Sequence, residues 1–292
     1  MTSGGLFDEQ LKDDTMSKSV TAEVLPLIVA MAEEGSLSGV WARATGFFAQ
    51  LGFARCNYGY TRFLHNRSIG DPNDALFLTT LDADYARRYF ANGFFARTPV
   101  FRWAQRNTGA CTWAWVQEAL VAGTLSAEEV NALRINAEMG ITAGISVSFP
   151  ELSARSKGAL GLIADTGIDA AMVEQIWAAH REEMLAVAHA MHLRIIQFPQ
   201  PSSHRPLTDR QREALEWVAD GKTAQDIAIL MGVSPAMVEK HLRLAREALN
   251  VETTAQAVAK GALMNVIFQR QPVVRSIPAP PVAVPDRAML VR

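Results

Sequence analysis

Two cysteines in 292 residues, Cys56 and Cys111, are too few for a disulfide framework or a thiolate metal cage. Such sparse use fits a reducing compartment. An excess of one charge is lacking too. The 28 Lys and Arg face 30 Asp and Glu, a net charge of -2, so attraction to nucleic acid has to come from a local cluster. No run approaches the roughly 20 apolar residues of a membrane helix. The first residues carry no basic segment leading into an apolar one, as a secretory signal would. A cytoplasmic protein without membrane contact is expected. Catalytic signatures are missing as well, with no phosphate-binding GxxxxGK loop, no GxSxG elbow and no HExxH helix. No catalytic residues are therefore assigned. His189 and His192 stand three residues apart near His180, but no carboxylate or cysteine completes a recognisable metal set, so no metal is expected either.

What the chain does have is apolar content, 49% of its residues, enough for two cores. Residues 1–18 lack periodicity and read as a disordered leader. Over 19–197, helical spacing at 20–34 and 37–51, short strands at 53–63 and 75–81, and a helix at 82–91 are predicted. Ser126 and Glu129 form a capping box that opens a helix ending near Gly140. Two β-rich runs end at Phe149 and Asp165, and 168–197 reads as one long helix. Helices on an antiparallel sheet make an α/β/α sandwich, an architecture suited to enclosing a small ligand. Residues 198–206 hold three prolines and read as a linker, and the proline-rich 269–292 as a disordered tail. The overall class is α+β, the sandwich being followed by an all-α four-helix domain over 207–268.

That second domain announces its helix starts. Thr208 and Gln211 form a capping box, and the stripe Ala214, Leu215, Val218 stops at Gly221. Thr223 can cap a second helix whose Ile227, Ala228 and Met231 face inward. Ser234 caps a third, with Pro235 at its first position where the missing N–H costs nothing. In the third helix Val238, Leu242, Ala245 and Leu249 share one face, leaving Glu239, Lys240, Arg243 and Arg246 on the other. A helix packed on one side and polar on the other is what a major groove about 12 Å wide admits, its N-terminal residues meeting base edges. A fourth helix is predicted over 254–268. Residues 203–270 carry nine Lys and Arg against eight Asp and Glu, so this reading rests on pattern rather than on charge.

The run from Leu207 to Ile267 resembles the DNA-binding domain of the LuxR family over its whole length, with agreement at Leu215, Gly221, Val238, His241, Leu242, Leu249, Val251 and Ala255 to Val258. Gln211, Glu239, Lys240, Leu244 and Thr254 depart from the usual residues. The resemblance implies a helix-turn-helix that binds double-stranded DNA through Thr223, Ser234, Ala236, Glu239, Lys240, Arg243 and Arg246. It further implies a homodimer on a pseudo-palindromic site, with RNA polymerase or another LuxR-type regulator as a further partner. Residues 36–196 are similar to the acyl-homoserine lactone-binding domain of quorum-sensing members. Tyr85 and Tyr89 stand at its two aromatic positions, Thr98-Pro99 at an Asp-Pro step, Trp113 at a Trp, and Gly144 at a Gly that opens a strand. The resemblance assigns these five residues to a small acyl-homoserine lactone-like signal, with no other cofactor. Thr98 replaces the carboxylate, and a neutral bond contributes about half as much as a charge-assisted one. A regulator that binds DNA without a ligand, and an interaction protein that forms inactive heterodimers, are the alternative readings.

Overall fold

Arg55–Thr61 (β1) alternates large apolar residues with small or polar ones, so its pleat sends Cys56, Tyr58 and Tyr60 to one face and Asn57, Gly59 and Thr61 to the other. In a computed structural model, which describes residues 23–65, 69–91, 93–151, 153–200 and 206–268, this strand is next to one edge of a five-stranded sheet. The leader expected over 1–18, part of the linker and the tail from 269 lie outside the described residues. The other strands are β2 (Leu76–Thr79), β3 (Gly109–Thr112), β4 (Gly144–Ser148) and β5 (Lys157–Ile163). All pair antiparallel in the order β2-β1-β5-β4-β3.

Register carries the alternation across the sheet. Leu78, Tyr58, Leu160, Val147 and Ala110 lie side by side and belong to the main core. The next row is Thr79, Asn57, Gly161, Ser146 and Cys111, and a parallel row holds Phe77, Gly59, Ala159, Ser148 and Gly109. One face is thus built of large side chains and the other mostly of small ones.

The large face is covered by α1 (23–33), α2 (Leu37–Gln50) and α7 (Ala170–Ile195). Met31, Phe48, Met184, Val187, Met191 and Ile195 fill the space between helices and sheet. The helix predicted over 168–197 is not continuous, because it bends at the buried His180, whose φ of -127° is outside the helical range. His192 meets the Tyr58 hydroxyl at 2.9 Å and Glu151 at 3.2 Å inside this layer, a structural cluster that uses one of the three sequence-flagged histidines. Among the described residues no group of His, Cys, Asp and Glu could hold a metal ion.

Over the small face run α3 (Ala83–Ala86), α4 (Pro99–Arg106), α5 (Ala114–Val121) and α6 (Ala127–Glu138). The helix predicted over 82–91 keeps α geometry for only one turn and widens into a π turn over Arg87–Ala91. The widening goes with a stack of Tyr85 on Tyr89 and lets Phe90 lie against Phe77.

The second domain is α8 (Asp209–Ala219), α9 (Ala224–Met231), α10 (Pro235–Leu249) and α11 (Thr254–Leu263), closed around Leu215, Ile227, Val238, Leu242, Leu249 and Ala257. The Thr208–Gln211 capping box is formed, as is a second at Thr223–Asp226 and a third at Thr253–Gln256. The fourth helix stops at Leu263 rather than 268. Asn265 takes a left-handed φ of 54° and turns the chain back, so that Ile267 packs on Gly261.

The two domains touch through this turn. Asn265 donates to the carbonyls of Ile196 and Phe198, at 2.9 and 3.3 Å, and Gln200 N–H donates to Met264 O at 2.9 Å. Beside them Lys260 reaches Asp74 at 2.6 Å, with side chains only 12% and 7% exposed, and its ammonium lies over the Phe63 ring.

Candidate functional site

The small rows of the sheet leave room for a cavity of about 380 Å³ beneath α4, α5 and α6, within the range of small-molecule sites. Aromatic rings wall it. Tyr85 and Tyr89 stack at 5.1 Å, Phe77 and Phe90 at 4.7 Å, and Phe95 meets Phe101 edge-on at 4.9 Å. Such rings offer an apolar chain a large contact area.

A short polar network crosses the floor. Thr79 donates to Asn57 Oδ1 at 2.7 Å, and Asn57 Nδ2 donates to the Tyr85 hydroxyl at 2.7 Å. Trp113 Nε1 donates to Ser146 Oγ at 2.9 Å. Burial pushes the Tyr85 phenol up strongly, with Tyr89 adding and the Asn57 bond opposing. Burial likewise pushes Tyr89 up to about 12, the Thr98 hydroxyl beside it acting the other way. Both phenols stay protonated donors at neutral pH.

Four of the five residues expected around a signal, Tyr85, Tyr89, Thr98 and Trp113, line this one cavity. Gly144 does not line it and acts one layer back. A Cβ there would stand 2.3 Å from Leu162 O and 3.0 Å from the Trp113 ring, so only glycine lets that indole lie on the strand. Thr98 is 1% exposed and its hydroxyl hydrogen is already spent. It donates to Phe95 O at 2.8 Å and accepts from Phe101 N–H at 3.3 Å as the N-cap of α4. Among the described residues lining the cavity there is no carboxylate, and the charged ones are Arg134 and Lys157. Lys157 donates to Asn107 O at 2.9 Å, and burial lowers its pKa. Arg134 is held by Glu138 and Asn131. Sequence reading missed Asn57 and Ser146. Their signal was the small or polar residue between two large ones on each strand.

The second surface of interest is the outer face of α10. Ser234, Ala236, Glu239, Lys240 and Arg243 are exposed there, and Thr223 is exposed at the start of α9. Ser234 accepts from Met237 N–H and Thr223 from Asp226 N–H, each at 3.3 Å, fixing the two helix starts. Arg243 is paired with Glu247 on the next turn. Arg246 is set apart from the others, being half-buried and donating to Thr254 Oγ1 at 2.9 Å, which ties α10 to α11. Ala245, Leu242 and Val238 are packed behind this face, so the helix presents a fixed array of side chains.

Comparison with known proteins finds a match to each of the two domains. Residues 36–195 match the autoinducer binding domain, and residues 205–260 match bacterial regulatory proteins of the luxR family. The chain is 30% identical over 226 residues to the transcriptional activator protein SolR of Ralstonia nicotianae, covering 75% of this chain and 87% of SolR. It is 26% identical over 215 residues to the transcriptional activator protein AhyR of Aeromonas hydrophila, covering 72% and 81%. The crystal structure of Escherichia coli SdiA shares the fold with a TM-score of 0.51 at 16% identity, over 85% of this chain and 99% of that one. An autoinducer-binding domain built over the small-residue face of a sheet, joined to a helix-turn-helix domain that matches along its length, places this chain in the LuxR family of bacterial regulatory proteins.

Proposed function

We propose that the chain is a cytoplasmic, homodimeric transcription factor whose occupancy of DNA is set by a small, mainly apolar signal held in the cavity. The observation that carries the reading is the aromatic-walled cavity in one domain and the exposed, rigidly backed α10 face in the other. Filling the cavity stabilises the folded first domain by mass action and raises the concentration of dimer able to span two half-sites. Ser234, Ala236, Glu239, Lys240 and Arg243 face the major groove, Thr223 stands by the phosphates, and Arg246 holds α10 against α11. Glu239 accepts a bond from a cytosine amino group and repels phosphate, which narrows the choice of operator. An acyl-homoserine lactone is the first ligand class to try, and the names of the similar proteins favour activation, through contact with RNA polymerase. No enzymatic role belongs to this reading.

Fluorescence anisotropy on the chain's own promoter fragment tests it, with and without a panel of acyl-homoserine lactones and related acyl lactones. Binding is expected to fall with added salt and to strengthen with ligand. Arg243→Ala is expected to weaken it by about 1–3 kcal/mol. Absence of any DNA complex under all these conditions would remove the regulator reading. DNA binding with no change in midpoint or affinity for any lactone supports a ligand-independent regulator, a second reading that the capping role of Thr98 favours.

A further inference from the structure

The cavity offers hydroxyl donors, and its side-chain acceptors, on Asn57, Gln105, Gln117 and Asn136 among others, are all neutral oxygens. The Tyr85 oxygen already accepts from Asn57 and the Ser146 oxygen from Trp113, so each has its own O–H hydrogen to give to an occupant. Thr98 spends its hydrogen on Phe95 O and a lone pair on Phe101 N–H. Asn136 Oδ1, on a residue that lines the cavity, lacks a partner among the described residues and is a neutral amide acceptor. No carboxylate lines the cavity among the described residues. A ligand N–H would therefore find neutral oxygen at best, with about half the strength of a bond to a carboxylate. An ionised head would carry a desolvation cost, with Arg134 already neutralised by Glu138 at the exposed side of α6 and one of the three Lys157 donors given to Asn107 O.

We propose that the cavity selects an apolar chain with a neutral, oxygen-only head, an acyl ester, over the corresponding N-acyl amide. This rests on the signal-binding reading above. The ester supplies a carbonyl and an ether-type oxygen for the Tyr85 and Ser146 hydroxyls and has no N–H whose lost hydration only a neutral acceptor could replace. The Thr98 cap sets this preference, since aspartate caps a helix equally well and would add the missing anionic acceptor.

The test uses the purified full chain and two probes that differ only by N–H against O: N-acyl-homoserine lactone and α-acyloxy-γ-butyrolactone, each with hexanoyl, octanoyl and decanoyl chains. Dissociation constants come from quenching of tryptophan emission, to which Trp113 in the cavity wall contributes. The wild-type chain is expected to bind the ester at least as tightly as the amide. In Thr98→Asp the order reverses, with the amide favoured by about tenfold. A tenfold or greater preference of the wild-type chain for the amide overturns the inference and leaves the signal-binding reading standing. If neither probe quenches emission or raises the melting midpoint at any chain length, the signal-binding reading fails and the inference with it.

Discussion

Cys56 lies against Phe53 O under the sheet, where burial pushes its thiol up to about 12 and Asp165 adds to the rise. Burial takes Cys111 to about 11, against a weaker opposing contact with Trp115. A raised thiol pKa keeps the neutral form, and the thiolate is the reactive one, so near pH 8 both groups stay inert in the folded chain. Titration with a colorimetric disulfide reagent at about pH 8 is expected to show slow native reaction and two fast thiols in urea. A rapid two-thiol burst from the folded chain would contradict that burial. That neither cysteine belongs to a disulfide framework was readable from their number, but not that Cys56 is buried and Cys111 half-buried. Arg246 was not readable as a tether, because the helical spacing that sets it one turn from Leu242, at the flank of the packed face, says nothing about Thr254, eight residues on and across a helix junction.

At the scale of elements, the strongest local constraint is Gly144, at the start of β4. Gly144→Ala would force its methyl group into Leu162 O and the Trp113 ring. It is expected to lower the unfolding free energy by at least 2 kcal/mol, roughly the cost of overpacking, and to abolish ligand-induced stabilisation, both read by thermal melts. An unchanged midpoint would show that β4 can shift to make room. Elements with local signals were legible: the Ser126, Thr208 and Ser234 caps all form as their spacing predicts. Elements fixed by distant partners were not. Gly109–Thr112 has no alternation of its own and becomes a strand through its pairing with β4. The early end of α11 depends on Asn265 binding carbonyls about seventy residues away, which no local pattern records.

For the whole molecule, the buried Lys260–Asp74 pair is the polar bolt between the domains. Breaking a buried pair by removing one partner costs about 3–5 kcal/mol when the survivor stays buried. Lys260→Ala is therefore expected to undock the second domain and hydrate Asp74. Calorimetry should then show two transitions where the wild-type chain shows one, and small-angle scattering a larger radius. A single unchanged transition would mean that the Asn265 and Gln200 contacts hold the domains without it.

The two unlike faces of the sheet separate two properties that a folded chain usually has to trade against each other. Side chains on the large face set how well the first domain holds together, while those on the small face set how long an occupant it accepts. At Gly161 an added methyl group would meet only Asn57 O at 3.9 Å, and at Gly59 only the Phe77 ring at 3.5 Å, so both positions have room to grow. Each methylene placed there shortens the space by its own volume without touching Tyr58, Leu160 or Val147 behind it. The floor of the cavity is in this sense an adjustable gauge, and a lineage could retune the molecule it listens to by single substitutions while keeping the same scaffold.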